Sequence, residues 1–192
     1  MKSQFVEKEF AYDGTQLRSL FGYLDHRIMG DSIVSWVGSC DISFEHMVDG
    51  EDLLEESLIA GGRMVHFIIE KFHTSLIAGV ALQRLFASIC QDILREKARI
   101  SMPQPEVTTL RREGDDIFYA DGKMSISIAT LSPVSCLIHF AINCSNKGTP
   151  VKTASLQDLG INEAVFARLA MERFVAEIHS IEEATTKVKW VR

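Results

Sequence analysis

The stretch Met64–Phe72, MVHFIIEKF, decides the fold of this chain. Its apolar residues stand next to one another instead of alternating with polar ones, which predicts a strand covered on both faces inside a sheet. Thr74 or Ser75 follows at once and can cap a helix. Apolar side chains then recur at helical spacing to about Lys97, so we expect a long helix that covers one face of that sheet.

Short elements precede this strand. The pattern predicts a strand over Phe5–Tyr12, a short helix from Thr15 to Leu24, a strand over Ser32–Val37, and an acidic loop over Gly38–Gly62 with a short helix at Glu51–Ile59. The strand predictions depend on β-branched and aromatic residues, and the turn pair Asp13-Gly14 ends the first of them.

Strands dominate the chain beyond the long helix, and a second helix ends it. The segment from Val107 to Cys144 is predicted to be all strand, with a hairpin of Asp115–Tyr119 and Lys123–Ala129 around Asp121-Gly122, and a further strand over Cys136–Asn143. Asn162 is predicted to cap a last helix, which carries Val165, Phe166, Leu169, Phe174 and Ile178 at helical spacing.

The order of these elements predicts the fold class. Strands that follow one another in hairpins, together with separate helices, favour an α+β fold with a mixed central sheet and two long helices packed on it. A nucleotide-binding fold of alternating strands and helices is disfavoured, because the chain has no G-x-G-x-x-G after a strand. The 192 residues contain no plausible linker, so we expect a single domain over residues 1–192.

Composition excludes several classes of protein. The net charge is -6 and basic residues are dispersed, so nucleic-acid binding is not expected. A run of about 18 uncharged apolar residues is absent, and the first residues lack the apolar stretch of a secretory signal. We therefore expect a cytoplasmic protein that does not span a membrane. The four cysteines, Cys40, Cys90, Cys136 and Cys144, are expected to be free thiols.

Three blocks of sequence resemble those of known acyl-transferring proteins. The block Asp115–Ser125 is similar to the segment of biotin-protein ligases with an Asn-Asp pair, a strand, a turn and a Lys. His139–Asn143 and Thr153–Gly160 are similar to segments of octanoyltransferases of the same superfamily. The resemblance covers residues 64–160. The whole chain also resembles an uncharacterised family, the domain of unknown function 366 family, through Asp13–Leu20 and Glu45–Asp49.

The resemblance implies a fold and a set of site residues. The fold would be the biotin/lipoate protein ligase catalytic core. Lys123 would bind the carboxylate of a biotin or fatty acid and then the acyl-adenylate carbonyl, a role that suits a compact cation. Asp116, His139 and Asn143 would line the ligand and cofactor pocket. Each also has a structural reading: Lys123 as a solvated turn residue, Asp116 as a turn former, His139 as a core histidine and Asn143 as a strand-end turn former.

The chain departs from these families at two loops. Ligases that make an adenylate carry a Gly/Arg-rich loop around the phosphates, whereas the corresponding Gly38–Asp49 has no Arg and is acidic. The resemblance implies ATP with magnesium as the cofactor. The acidic loop argues against ATP, because it would repel the phosphates unless Mg²⁺ intervened. Octanoyltransferases use a Cys in a Pro-Cys-Gly turn, and Gly148–Lys152 has no Cys.

The acidic loop is itself a rival site. Asp41, Glu45 and His46, near Asp31, Cys40 and Asp49, are residue types that could hold a divalent cation for a metal-dependent hydrolase. Their spacing matches no recognised zinc pattern, and a solvated acidic surface is the simpler interpretation.

We therefore predict a pocket for a small carboxylate or acyl ligand, with acyl or biotinyl transfer to a protein or small acceptor. The alternatives are a noncatalytic binding module of the same fold and the metal-dependent hydrolase. A homodimer is also predicted, because the apolar residues of the last helix exceed one stripe: Phe166, Leu169, Met171, Phe174, Val175 and Ile178.

Overall fold

Two β-sheets and two long helices make up the architecture. The computed structural model describes residues 1–57, 59–101, 109–147 and 152–191. The strands are β1 Lys2–Phe5, β2 Ser32–Ile42, β3 Ile59–Phe72, β4 Leu110–Glu113, β5 Asp116–Tyr119, β6 Gly122–Lys123, β7 Ser125–Leu131 and β8 Ser135–Asn143. The helices are α1 Phe21–Leu24, α2 Gly50–Glu55, α3 Leu76–Ser101 and α4 Glu163–Thr186, with 3-10 turns at Phe44–His46 and Gln157–Leu159.

The larger sheet has five strands in the order β1-β2-β3-β8-β7. β1 pairs with β2 in parallel, and the other neighbours are antiparallel, so the sheet is mixed. β3 lies in the middle between β2 and β8. Its residues from Met64 to Glu70 are all buried, which confirms that the strand lies inside the sheet and is covered on both faces.

The two long helices pack on one face of this sheet. Phe67 of β3 and Phe140 of β8 face Phe86 of α3, with ring centroids 4.9 and 5.2 Å from that ring. Phe174 of α4 lies 5.0 Å from Phe86 in an edge-to-face contact. Such aromatic pairs add to the burial of apolar area. The predicted fold class is therefore confirmed, with both helices sharing one core.

Polar side chains begin both helices where the sequence predicts. The Ser75 hydroxyl accepts a hydrogen bond from the Ala78 N–H at 3.4 Å. The Asn162 side chain accepts one from the Val165 N–H at 3.0 Å. Each satisfies a backbone donor that the first turn of a helix leaves unpaired.

α3 contains the one stretch, among the described residues, that is long and apolar enough to cross a membrane, Leu76–Ala98. Length and composition alone do not separate such a span from the core helix of a globular protein. In this structure Phe86, Cys90 and Leu94 are fully buried in the core shared with α4 and the sheet. The helix therefore fills the place of a core helix.

The opposite face of the sheet is covered by the irregular amino-terminal segment. The predicted strand Phe5–Tyr12 is wrong, since β1 ends at Phe5 and only Tyr12 forms a further bridge, to Cys40. Phe10 stacks on Trp36 at 4.5 Å, and the Trp36 indole donates a hydrogen bond to the Phe10 carbonyl. Beyond Phe5 the chain therefore packs over the face of the sheet and does not continue as a paired strand at its edge.

The predicted helix from Thr15 shrinks to α1, a single turn. Leu20 has a φ of 64°, a left-handed conformation that a helix interior does not accommodate. Its N–H donates to both carboxylate oxygens of Glu70, at 2.9 and 3.1 Å. The Ser135 hydroxyl donates to Glu70 as well, so this buried carboxylate is compensated and fixes where the helix starts.

The predicted hairpin of Asp115–Tyr119 with Lys123–Ala129 is also corrected. β6 pairs with β5 for only two residues, and from Ser125 onward the chain pairs with β8 in the larger sheet. Met124 joins the two sheets, because its N–H donates to the Ile117 carbonyl and its carbonyl accepts from the Asn143 N–H. The predicted acidic loop is shorter than expected, since β2 extends to Ile42 and β3 begins at Ile59.

The cysteines and the last helix bear on two further predictions. All four cysteines are free and buried, as expected. Most of the apolar residues of α4 are buried within the chain itself: Phe166, Met171, Phe174 and Ile178. The homodimer therefore stays a prediction.

Phe86→Ala should lower the free energy of unfolding by about 3–5 kcal/mol, because it empties the space between β3, β8 and α4. Urea unfolding followed by circular dichroism measures this loss. Phe44→Ala is the matched control, since Phe44 is exposed and its loss should change stability by less than about 0.5 kcal/mol. Equal losses in the two variants would contradict the described core.

Candidate functional site

A cleft of about 600 Å³ opens on the sheet face away from the long helices. Apolar side chains of the sheet and of the amino-terminal segment line it, among them Tyr12, Met64, Ile126 and Ile128. Charged side chains come from the segment around α2 and from the smaller sheet, namely Asp49, Glu51, Asp52, Asp115, Asp116 and Lys123. His46, His139 and Asn143 complete the predicted site residues that lie on its wall.

Lys123 stands in this cleft at the end of β6. Its carbonyl accepts hydrogen bonds from the Ala154 N–H at 3.1 Å and from the Asn143 side chain at 3.2 Å. Gly122 precedes it because a Cβ there would come within 2.7 Å of the backbone of Thr153 and Ala154. The backbone of Lys123 is therefore held by Asn143 at the end of β8 and by the segment at Ala154, so Lys123 is not a residue of a free turn.

The ammonium of Lys123 is paired with the carboxylate of Asp116 at 2.8 Å, with side-chain exposures of 38% and 30%. The pKa of Asp116 is raised, first by burial and also by Asp115 and Glu113, although Lys123 opposes the shift. The structure thus brings together the two residues that the sequence proposed for ligand binding. Both side chains are partly shielded from solvent at the cleft wall, so the ion pair is neither fully buried nor fully exposed.

Acidic side chains outnumber basic ones on the described part of the cleft wall, five carboxylates to one ammonium. Burial and the neighbouring Asp49 raise the pKa of Asp52, while Lys123 lowers it. Asp115 has a structural role, since it accepts hydrogen bonds from Gln83 of α3 at 2.9 Å and from Ser127 of β7. An anionic ligand must therefore bring or displace positive charge to bind here.

Asn143 positions backbone instead of forming a turn. Its amide donates to the carbonyls of Lys123 and Ala154, at 3.2 and 3.1 Å. These two bonds tie β6 and the segment at Ala154 to the end of β8. Asn143 therefore supports Lys123 from the cleft wall.

His139 lies under the cleft in a stack of aromatic rings. The Tyr12 ring is 3.7 Å from it and nearly parallel. Its Nε2 lies 3.1 Å from Nδ1 of His66, and Nε2 of His66 lies 3.3 Å from the Gly38 carbonyl oxygen. Burial lowers the pKa of His66 to about 4 and that of His139 well below its usual value, so both rings are neutral.

Sequence reasoning missed Tyr12 and His66 as parts of this site. A signal for His66 was present, since a histidine in the middle of an otherwise apolar, buried strand needs a hydrogen-bond partner. Its partner on β8 follows from strand pairing, and no pattern in the sequence reveals that pairing. Tyr12 had no such signal.

The predicted metal-binding residues Asp41, Glu45 and His46 do not come together in the structure. His46 lines the cleft, whereas Asp41 and Glu45 are exposed and do not. Asp41 belongs to β2, where side chains alternate, and the next residue, Ile42, faces the cleft. Within the described ranges, no three His, Cys, Asp or Glu side chains come together to hold a metal ion. The acidic side chains that do reach the cleft come from Asp49 and α2 and from the region of the smaller sheet, namely Asp49, Glu51, Asp52, Asp115 and Asp116.

The buried histidine pair should make the protein less stable in mild acid. Unfolded histidines take up protons below pH 6.5, whereas the folded His66 does so only near pH 4, so stability is full above 6.5 and falls as the pH drops. The loss at about pH 5 should be about 2 kcal/mol for each histidine. Urea unfolding at about pH 7.5 and about pH 5 measures it.

Two variants separate this effect from the general action of acid. His139→Phe should reduce the pH-dependent loss by about half, even if it lowers stability at neutral pH. His179→Gln should leave the loss unchanged, because that side chain is 71% exposed. An equal pH dependence in all three proteins would contradict the neutral buried pair.

Comparisons with known proteins agree with this fold. A family model described as "Domain of unknown function (DUF366)" matches residues 1–189. The uncharacterized protein MJ0805 of Methanocaldococcus jannaschii is 31% identical over 191 residues, which are 95% of this chain and 82% of that protein. A solved protein of unknown function from Pyrococcus horikoshi is 35% identical, with a TM-score of 0.89 over 99% of this chain and 100% of that one.

Ligases of known fold share the architecture at low identity. Biotin protein ligase from Leishmania major, solved with biotinyl-5-AMP, superposes with a TM-score of 0.59 at 12% identity, over 100% of this chain and 84% of that one. At this identity the likeness concerns the fold, which is that of the biotin and lipoate protein ligase catalytic core. The family match over nearly the whole sequence shows that the chain belongs to the DUF366 family.

Proposed function

We propose that the cleft binds a small carboxylic acid or its acyl group, with Lys123 at the carboxyl end, and transfers that group to an amine acceptor. The observation that carries the proposal is the position of the Lys123 ammonium. It projects into the cleft from a backbone held on both sides, and it is the basic side chain among five carboxylates on the described wall.

Lysine suits this position for a physical reason. Its compact ammonium stabilises a carboxylate oxygen, and the oxyanion charge that develops when the acyl carbon is attacked. A ligand carboxylate must compete with Asp116 for that ammonium. Burial disfavours the charged form of Asp116, which is why its pKa is raised in spite of Lys123, and this weakens its hold on the ammonium.

A phosphate-bearing cofactor needs a further positive charge here. Mg²⁺ usually binds one or two carboxylates together with water and phosphate oxygens, so it does not require a cluster of three protein ligands. Asp52 and Asp116 lie on the cleft wall near Lys123 and fit such a hydrated ion. We therefore propose Mg²⁺ with ATP as the activating cofactor, its charge offsetting the acidic wall.

The fold supports this proposal from another side. The Leishmania protein of the same architecture holds biotinyl-5-AMP, an acyl adenylate.

We place the reaction of the present protein in the cytosol, where its four buried thiols stay reduced. The acceptor is an amine of a protein or a small molecule.

A noncatalytic binding module is the second candidate. One observation favours it: the segment Gly38–Asp49, where related ligases carry arginines for phosphate, has none, and its residues up to Ile42 belong to β2. Such a module would bind the carboxylic acid at Lys123 and would not respond to ATP. Ligand binding and turnover therefore separate the two candidates.

Lys123→Ala should weaken carboxylic-acid binding. Biotin, lipoate or octanoate that binds the folded protein raises its free energy of unfolding by about 2.7 kcal/mol at a hundredfold excess over the dissociation constant. Loss of a charge-assisted contact should weaken affinity by about tenfold to a hundredfold. Thermal unfolding with each acid measures this.

The matched control for this experiment is Lys152→Ala. Lys152 is a lysine in an ion pair with Asp121, but its side chain is 74% exposed and outside the cleft wall. It should bind as the wild type does. Full binding in Lys123→Ala would overturn the assignment of Lys123.

ATP should raise the unfolding midpoint only when Mg²⁺ is present, because the acidic wall repels free phosphates. Asp52→Asn and Asp116→Asn should each reduce the Mg²⁺-dependent shift. Asp121→Asn should not, since Asp121 is 86% exposed and pairs with Lys152. An equal ATP shift with a chelator present would contradict the proposed role of the carboxylates, and no ATP shift at all would favour the binding module.

A further inference from the structure

The two buried histidines form a directed chain of hydrogen bonds. The Gly38 carbonyl can only accept, so Nε2 of His66, 3.3 Å away, carries the proton of that ring. Because His66 is neutral, its Nδ1 has a lone pair and accepts. Nε2 of His139, 3.1 Å from that Nδ1, must then donate. This assignment leaves Nδ1 of His139 as a bare acceptor.

Nδ1 of His139 has no partner of its own within the described residues. The side chain is 1% exposed, and its single hydrogen bond is the one to His66. Two side-chain polar atoms in the described ranges are both closed off from solvent and unpaired, His26 Nε2 and Ser35 Oγ. His139 Nδ1 is not one of them, and the residue lines the cleft, so this atom opens toward the cleft.

Aromatic and aliphatic side chains lie next to His139, and its one side-chain hydrogen bond is made through Nε2. Tyr12 covers a face of the ring at 3.7 Å in a stacked geometry. Ile128 pairs with His139 across β7 and β8, and Ile126 and Ile128 line the cleft nearby. An acceptor that apolar side chains shield from most of the solvent is stabilised when a ligand donor reaches it.

The spacing along β8 relates this acceptor to Lys123. The Lys123 carbonyl is bonded to Asn143, and His139 precedes Asn143 by four residues on the same strand. Four strand residues span roughly 13 Å. One ligand of moderate length could therefore reach both groups.

We infer that His139 Nδ1 receives an N–H or O–H donor from the far end of the carboxylic acid held by Lys123. The ligand class is then a carboxylic acid with a polar, hydrogen-donating head, and a plain fatty acid is the poorer ligand. The Lys123 half of this inference rests on the proposed function, whereas the His139 half stands on the hydrogen-bond chain alone. A ligand without the donor should bind about tenfold more weakly.

The test uses the full chain labelled with ¹⁵N-histidine and three probes. Biotin has a carboxylate and ring N–H donors, octanoate has a carboxylate alone, and 2-imidazolidinone has N–H donors alone. The Nδ1 resonance of His139 is the one missing in His139→Phe, and His179→Gln serves as the assignment control. A structural role for His139 would not move this resonance with the probe.

Biotin and 2-imidazolidinone should shift the Nδ1 resonance of wild-type His139 toward a hydrogen-bonded value, and octanoate should not. Calorimetry should show biotin binding about tenfold more tightly than octanoate, a preference that His139→Phe abolishes. The shift itself is read in the wild type, and if His139→Phe does not fold, His139→Gln supplies both the assignment of the resonance and the affinity comparison.

The outcomes separate the inference from the proposed function. If biotin and octanoate both bind through Lys123 and neither biotin nor 2-imidazolidinone moves the resonance, the His139 inference is wrong and the proposed function stands. If 2-imidazolidinone moves it while no carboxylic acid binds, the donor site stands and the proposed function fails. No response to any probe overturns both.

Discussion

Burial of β3 on both faces is the constraint on which the rest of the structure depends. One face carries Val65, Phe67 and Ile69 into the core with the long helices. The other carries Met64, His66 and Ile68 toward the amino-terminal segment and the cleft. Successive side chains of a strand point to opposite faces of the sheet. A register shift of one residue in β3 would therefore turn the core side chains toward the cleft and the cleft-side side chains into the core.

The same alternation places the two buried polar residues of β3 on one face of the sheet. His66 and Glu70 lie on the covered face away from the helices, and both are almost fully buried. Glu70 is compensated by the Leu20 N–H and Ser135, and His66 by Gly38 and His139. These partners come from the segments that β3 brings to its sides. The chain of hydrogen bonds from Gly38 through His66 ends at Nδ1 of His139, a nitrogen beside the cleft that can accept a hydrogen bond from a ligand.

Lys123 owes its place to the change of sheet at Met124. The short strand β6 pairs with β5 for two residues, and the chain then continues into β7 of the larger sheet. The lysine therefore lies where the two sheets meet. Asn143 and the segment at Ala154 hold its backbone there. The acidic residues of α2 approach from the other side of the cleft. A cation among carboxylates then favours ligands that bring their own positive charge or displace Asp116.

The sequence by itself determined the central strand, both long helices with their caps and the mixed α+β class, and its resemblance to the ligases made Lys123 and Asp116 candidate site residues. These follow from local periodicity, capping residues and short blocks of resemblance. Only the tertiary structure decided the path of Phe5–Tyr12, the start of α1, the sheet change at Met124 and the partners of His139. Each of these depends on contacts between residues far apart in the chain, such as Phe10 with Trp36 or His66 with His139, and local pattern carries no information about which distant strand or ring a residue will meet.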